Sequence, residues 1–293
     1  MRVLRNLLIT LICIALVGAA VIFGYFQLHG HREKALLEEG LALMEQGNYR
    51  LAREKFAEGQ QYENSITRHL ATDSMEEDLY KYVAICDFRL GEMDEAASIY
   101  DRLLRIHPKD PLLMQGRATV YAAQGQMEEA RKLFDLAIGI DSSDYSHIYT
   151  AAMTLRQYGD PETGRVYLET LLADHGEELD PLTKGQALCF VGQYKEAEEI
   201  LSGIANPDMQ TTFLLASARE YNGKHEEALA LFEQALPLAQ EGTALQQSIL
   251  FNRIAALENL RDFAKAKELA AQYSELYPDD ARMNRENLFL QSR

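Results

Sequence analysis

Paired carboxylates, histidines and cysteines are the residues of this chain that could carry chemistry, and their placement argues against it. Glu128-Glu129, Glu198-Glu199 and Glu226-Glu227 have the form of general acid–base pairs. Each pair, however, follows a glycine turn and opens a helical pattern. Carboxylates there answer the positive end of the helix dipole. His29, His31, His69, His107, His147, His175 and His225 are scattered along the chain. Cys13, Cys86 and Cys189 show no metal-ligand spacing and imply no disulfide framework. Cys86 and Cys189 fall in helical patterns and read as small buried hydrophobes. A phosphate-cradling loop ending in Gly-Lys-Ser or Gly-Lys-Thr is absent from the sequence, as are His-Glu-x-x-His and Gly-x-Ser-x-Gly. The sequence therefore predicts no catalytic centre, no metal and no cofactor.

The elements that must hold these residues are helices. Trp is absent, Pro numbers 7 among 293 residues, and helix-forming Ala, Leu, Glu and Gln recur throughout. Net charge is −16. Residues 1–34 hold four bases (Arg2, Arg5, Arg32, Lys34) and one acid (Glu33), leaving 25 basic and 44 acidic residues, a net of −19, for 35–293. So acidic a surface repels phosphate backbones and argues against nucleic-acid binding. It maintains solubility and would favour basic partners.

The first 28 residues differ in kind. A short tail, 1–5, precedes Asn6 to Leu28, 23 positions without a charge. As a helix this segment spans about 34 Å, enough to cross a hydrocarbon core of about 30 Å. A cleaved signal peptide is the alternative. The apolar run is longer than such signals need and continues past Gly18, Ala19 and Ala20, which favours an uncleaved anchor. Basic residues flank both ends, so the positive-inside rule is nearly balanced. The short N-terminal tail before a long domain predicts the domain outside the cytoplasm.

Beyond the anchor the sequence repeats itself. Gly91, Gly125 and Gly159 are spaced 34 residues apart, Gly192 follows after 33 and Gly223 after 31. Gly47 carries the same pattern upstream, but 44 residues before Gly91. Arg261 stands at the matching place downstream, without glycine. Small residues precede each turn: Gly40, Ala84, Ala118, Ala152 and Ala216. After the turns come Ala52, Ala96, Ala130, Ala197 and Ala228, then the large rings Phe56, Tyr100, Phe134 and Phe232. This pattern resembles the tetratricopeptide repeat, a 34-residue helical hairpin, over about residues 33–280. His225 then sits where the motif wants a large side chain, so it reads as packing.

The resemblance implies an all-α, right-handed solenoid of helical hairpins behind a single transmembrane helix. About seven units are expected, four regular and three degenerate. The extra length after the first hairpin falls around 60–78, and LPLAQEGTALQQ lengthens the step before the seventh. Residues 281–293 form a cap or tail, with Met283, Leu288 and Leu290 laid on the last hairpin. Stacking creates the core, because no single hairpin buries both of its faces.

In that family the first helices line a concave face that holds a peptide or protein partner. By register the face here comprises Lys81, Ile85, Phe88, Gln115, Thr119, Tyr149, Met153, Arg156, Gln186, Phe213, Ser217 and Tyr221. The mixed set lacks the Asn, Lys and Arg pattern of the family's chaperone-tail clamp. The expected function is a membrane-anchored, non-catalytic scaffold or adaptor in a bacterial envelope, its repeats outside the cytoplasm. An organelle-membrane receptor with cytosolic repeats is the alternative. An enzyme with a site between hairpins is a third reading that no motif supports.

Overall fold

The computed structural model describes residues 31–61 and 74–293. The expected anchor at 6–28 lies outside the described residues, as does most of the insertion after the first hairpin. Among the described residues no helix is long and apolar enough to cross a membrane. All regular structure there is helical, and the chain divides into two compact units between Asp160 and Pro161.

The first unit contains α1 (31–45), α2 (Tyr49–Gln60), α3 (Ser74–Leu90), α4 (Met93–Ile106), α5 (Pro111–Ala123), α6 (Met127–Ile140) and α7 (Ser146–Tyr158). Each helix packs chiefly on its neighbours in sequence, and α5 also meets α7. Ala84, Ala96, Ala118, Ala130 and Ala152 are fully buried, as are Phe56 and Phe134. Burial of each such ring contributes roughly 2–3 kcal/mol. The small positions matter for approach: a Cβ on Gly116 would overlap the buried Tyr100 ring, and one on Gly40 would overlap Phe56. Cys86 is buried with the α2–α3 core, and burial pushes its thiol up to about 11. Beside it, fully buried Asp87 accepts a hydrogen bond from Arg53, tying α3 to α2.

The second unit contains α8 (Pro161–His175), α9 (Pro181–Val191), α10 (Tyr194–Ser202), α11 (Met209–Tyr221), α12 (His225–Ala235), α13 (Ala244–Asn259), α14 (Phe263–Leu276) and α15 (Ala281–Gln291). Asp180 caps α9, accepting from the Leu182 and Thr183 amides at 3.0 and 3.1 Å, with Pro181 in the first turn. Ile254, at a position the repeat reserves for a small residue, is buried. Cys189 is buried too, its thiol pushed up to about 12 by that burial.

The turns share one geometry. Gly47, Gly91, Gly125, Gly159, Gly192 and Gly223 all have positive φ, from 73° to 113°. At Gly91 the next amide, Glu92 N, donates to Asp87 O at 2.8 Å, while Gly91 N donates to Phe88 O at 3.1 Å. This doubly bonded helix ending needs a left-handed residue, which glycine supplies at least cost. Arg261 adopts the same conformation, φ 63°, with the equivalent bond from Asp262 N to Leu257 O at 2.9 Å.

Three expectations need correction. Glu198 does not sit at the dipole end of α10, whose first turn holds Glu196. Its carboxylate accepts from Asn222 at 2.9 Å, Lys224 at 2.8 Å and Arg219 at 3.3 Å, joining α10 to α11 and its turn. Leu288 does not dock. Met283 and Leu290, seven residues apart, share the buried face of α15, whereas Leu288 is 68% exposed. His225 is more than packing: its Nδ1 lies 2.8 Å from the Glu220 carboxylate.

Candidate partner-binding face

In the first unit a cavity of about 460 Å³ opens between α3 and α5. Periodicity builds its walls. Asp78, Lys81, Tyr82, Ile85, Phe88 and Arg89 recur at helical spacing on α3, and Gln115, Gly116 and Thr119 face them from α5. Tyr100 from α4, Leu112 and Leu113 at the start of α5, and Thr150 from α7 complete it. The lining is mostly apolar. Burial raises the Tyr100 phenol to about 12, which keeps it protonated. Lys81 lies 3.6 Å from Asp78. Gln115 is buried against the His147 ring, and the Thr119 hydroxyl donates to Gln115 O at 2.8 Å. Across the unit, the rings of Phe88 on α3 and Tyr158 at the end of α7 meet at 6.4 Å.

Five residues expected on the partner-binding face, Lys81, Ile85, Phe88, Gln115 and Thr119, thus share one cavity. Tyr149, Met153 and Arg156 are half-buried on α7 and are not among its lining residues. Their neighbour Thr150 is. Sequence register missed Tyr82, Arg89 and Thr150 because it took one narrow stripe per helix. A cavity between helices reaches residues one position to either side of that stripe.

The remaining four lie in the second unit and do not act alike. Gln186 on α9 accepts from Gln210 at 3.3 Å. Phe213 packs into the hydrophobic clusters on both sides of α11 and lies 6.0 Å from the Phe232 ring. It is a packing residue as much as a surface one. The Ser217 hydroxyl donates back to Phe213 O at 2.9 Å. Tyr221 is 69% exposed and stacks almost parallel on Tyr194, centroids 4.2 Å apart.

A second, polar hollow lies between α4 and α5. Arg117 is buried there, hydrogen-bonded to Asp101 at 2.8 Å and stacked over the Tyr121 ring at 3.8 Å. That arrangement ties α5 to α4. Among the described residues, no three His, Cys, Asp or Glu side chains gather where a metal ion could sit.

Models described as tetratricopeptide repeat match residues 37–111, 87–152 and 211–243, together about half of the chain. The chain is 29% identical over 111 residues to the rhomboid protease GluP of Bacillus subtilis, covering 37% of this chain and 20% of that protein. It spans only 20–29% of the length of the curated relatives it matches. A tetratricopeptide repeat protein from Parabacteroides merdae shares the fold with a TM-score of 0.57 at 16% identity, over 90% of this chain and 100% of that one. PilW, described as a type IV pilus biogenesis factor, does so with a TM-score of 0.56 at 20% identity, over 73% and 99%. At these identities the likeness is one of fold.

Proposed function

The chain belongs to the tetratricopeptide repeat family, and from that premise we propose that it is a non-catalytic scaffold that holds a partner protein on the first-helix face of its N-terminal unit. Repeats of this family are generally protein-interaction scaffolds. The cavity between α3 and α5 carries the reading, because it is concave, mostly apolar and edged by a few polar groups, as binding sites are. The uncharged run Asn6 to Leu28 supports an anchored setting in which the partner is gathered at a membrane. A bacterial envelope, with the repeats outside the cytoplasm, is the setting we favour.

Site-specific photo-crosslinking tests the reading. A crosslinking residue placed at position 85 or 119 captures one partner in intact cells, and one placed at the exposed Leu136 does not. Ile85→Glu lowers co-purification of that partner at least tenfold while the melting temperature holds. Equal capture from all three positions sinks the assignment. The anchored setting has its own measurement: protease added to spheroplasts digests the repeats, and their full protection overturns the stated sidedness.

A further inference from the structure

The links between successive hairpins of the first unit lie on one edge, and α1 begins at that same edge. Contacts join the helix ends there pair by pair. Arg32 at the start of α1 donates to Glu58 near the end of α2 at 3.1 Å, and Gly59 lies against the Leu79 side chain near the start of α3. Glu77, at that end of α3, lies 2.6 Å from the ring of His107, the residue after α4. Asp110 then caps α5, accepting from the Leu112 and Leu113 amides at 2.9 and 3.1 Å. The glycine turns occupy the opposite edge. Only His29 and Gly30 separate Leu28 from α1, a reach of about 10 Å. With Asn6 to Leu28 in a bilayer, α1 would therefore start at or just beyond a headgroup layer of about 5–7 Å.

One corner of this edge is built unlike the rest of the surface. Ile106 ends α4 and Leu112 stands in the first turn of α5, 58% and 61% exposed. Arg102, Arg105 and Lys109 are exposed around them. Arg102 stacks over the Tyr80 ring at 3.9 Å, while Arg105 and Lys109 form no ion pair among the described residues. Residues 102–127 hold four bases and one acid, Asp110, on a chain of net charge −16. Beyond α6 the edge turns acidic again, with Asp141 and Asp144. Exposed apolar side chains with cations beside them suit the boundary between anionic headgroups and acyl chains. The acidic remainder of the chain is repelled by such a surface. About two helix spacings, roughly 20 Å, separate the corner from the start of α1, so both can reach one bilayer.

From this juxtaposition we propose that the α4–α5 corner rests on the anionic headgroups of the bilayer that holds the anchor. Ile106 and Leu112 enter the boundary, and Arg105 and Lys109 pair with lipid phosphates. The helices of the first unit then stand upright on the membrane, glycine turns outermost. The inference rests on the anchored setting proposed above and adds which edge of the repeats faces the lipid.

The chain has no Trp, so Ile106→Trp and Leu51→Trp each introduce a single fluorophore, one at this edge and one near the glycine turns. Both positions are exposed, and an unchanged melting curve checks the fold. The full chain is reconstituted in vesicles of phosphatidylglycerol and brominated phosphatidylcholine. Ile106→Trp should lose about half its emission to the bromines or more, as a side chain seated in the boundary does, and Leu51→Trp none. Arg105→Gln with Lys109→Gln should weaken the contact by two factors of about five, one per cation, and restore most of the emission. High salt should act in the same direction. An unquenched Ile106→Trp on chains that resist carbonate extraction overturns this inference and leaves the anchored setting standing. Complete extraction by carbonate overturns the anchored setting and the inference with it. Equal quenching of Leu51→Trp overturns the choice of edge. Quenching that survives the double substitution, or the omission of phosphatidylglycerol, overturns the anionic assignment. Emission that follows protein concentration rather than bromine assigns the corner to a second copy of the chain, and overturns the inference as well.

Discussion

The rings of Phe88 and Tyr158 stand nearly perpendicular, 77° apart, with centroids separated by 6.4 Å. Phe88 lies in the last turn of α3 and Tyr158 ends α7, so the contact joins two first helices that are not consecutive. Phe88 also lines the cavity, and the pairing holds its ring in place. An edge-on aromatic pair is worth about 0.5–1.5 kcal/mol beyond area burial. In a double-mutant cycle of Phe88→Leu and Tyr158→Leu, urea unfolding should return a coupling of about 1 kcal/mol. Strict additivity would show that the two rings do not support each other.

Asp87 is fully buried, and Arg53 is the cation that hydrogen-bonds to it. That bond, with burial opposing, raises the Arg53 guanidinium above its ordinary value. Removing Arg53 leaves a buried carboxylate without its cation. Arg53→Ala should cost about 2–3 kcal/mol, and Asp87→Asn added to it should recover part of the loss. A double variant less stable than Arg53→Ala alone contradicts this account.

The turns offer a comparison of opposite signs. Gly125 and Arg261 both occupy left-handed backbone, at φ 77° and 63°. An L side chain there costs roughly 1–2 kcal/mol, and glycine gives back part of that through the freedom of the unfolded chain. Gly125→Ala should therefore destabilise by about 1 kcal/mol, and Arg261→Gly should stabilise by about 0.5–1 kcal/mol. Chemical denaturation of both variants reads the two signs, and a destabilised Arg261→Gly would falsify the argument.

Glu258, in the last turn of α13, is driven up to about 8 by burial and by the neighbouring Glu286 of α15. A carboxyl whose folded value is raised binds more protons folded than unfolded. Its contribution is complete below its ordinary value of 4.5 and is lost as pH rises to about 8. Stability of the C-terminal helices should fall across that window. Glu258→Gln, neutral at every pH, should flatten the slope and raise Tm at pH 8 by about 2–4 °C. An unchanged slope rejects the assignment.

The sequence alone determined the helical hairpin, its turns and its family, because those features are local. Turn glycines, alanines and large rings recur at a near-constant period, and each is demanded by backbone conformation or by close approach within one or two hairpins. Even Arg261, a turn without its glycine, was legible from its place in the period. Leu288 was misread because a short tail has no repeat to set its phase, and packing chose Met283 and Leu290 instead. Glu198 was misread because its partners, Asn222 and Lys224, come from the following turn, more than twenty residues away. The candidate face divides in the same way. Register located Lys81, Ile85, Phe88, Gln115 and Thr119, but only the packing of α3 against α5 decided that they share a cavity and that Arg89 edges it, and only the clusters on both sides of α11 decided that Phe213 packs as much as it faces the surface. Periodicity tells which way a side chain points; the space left between neighbouring helices depends on side chains from several of them at once.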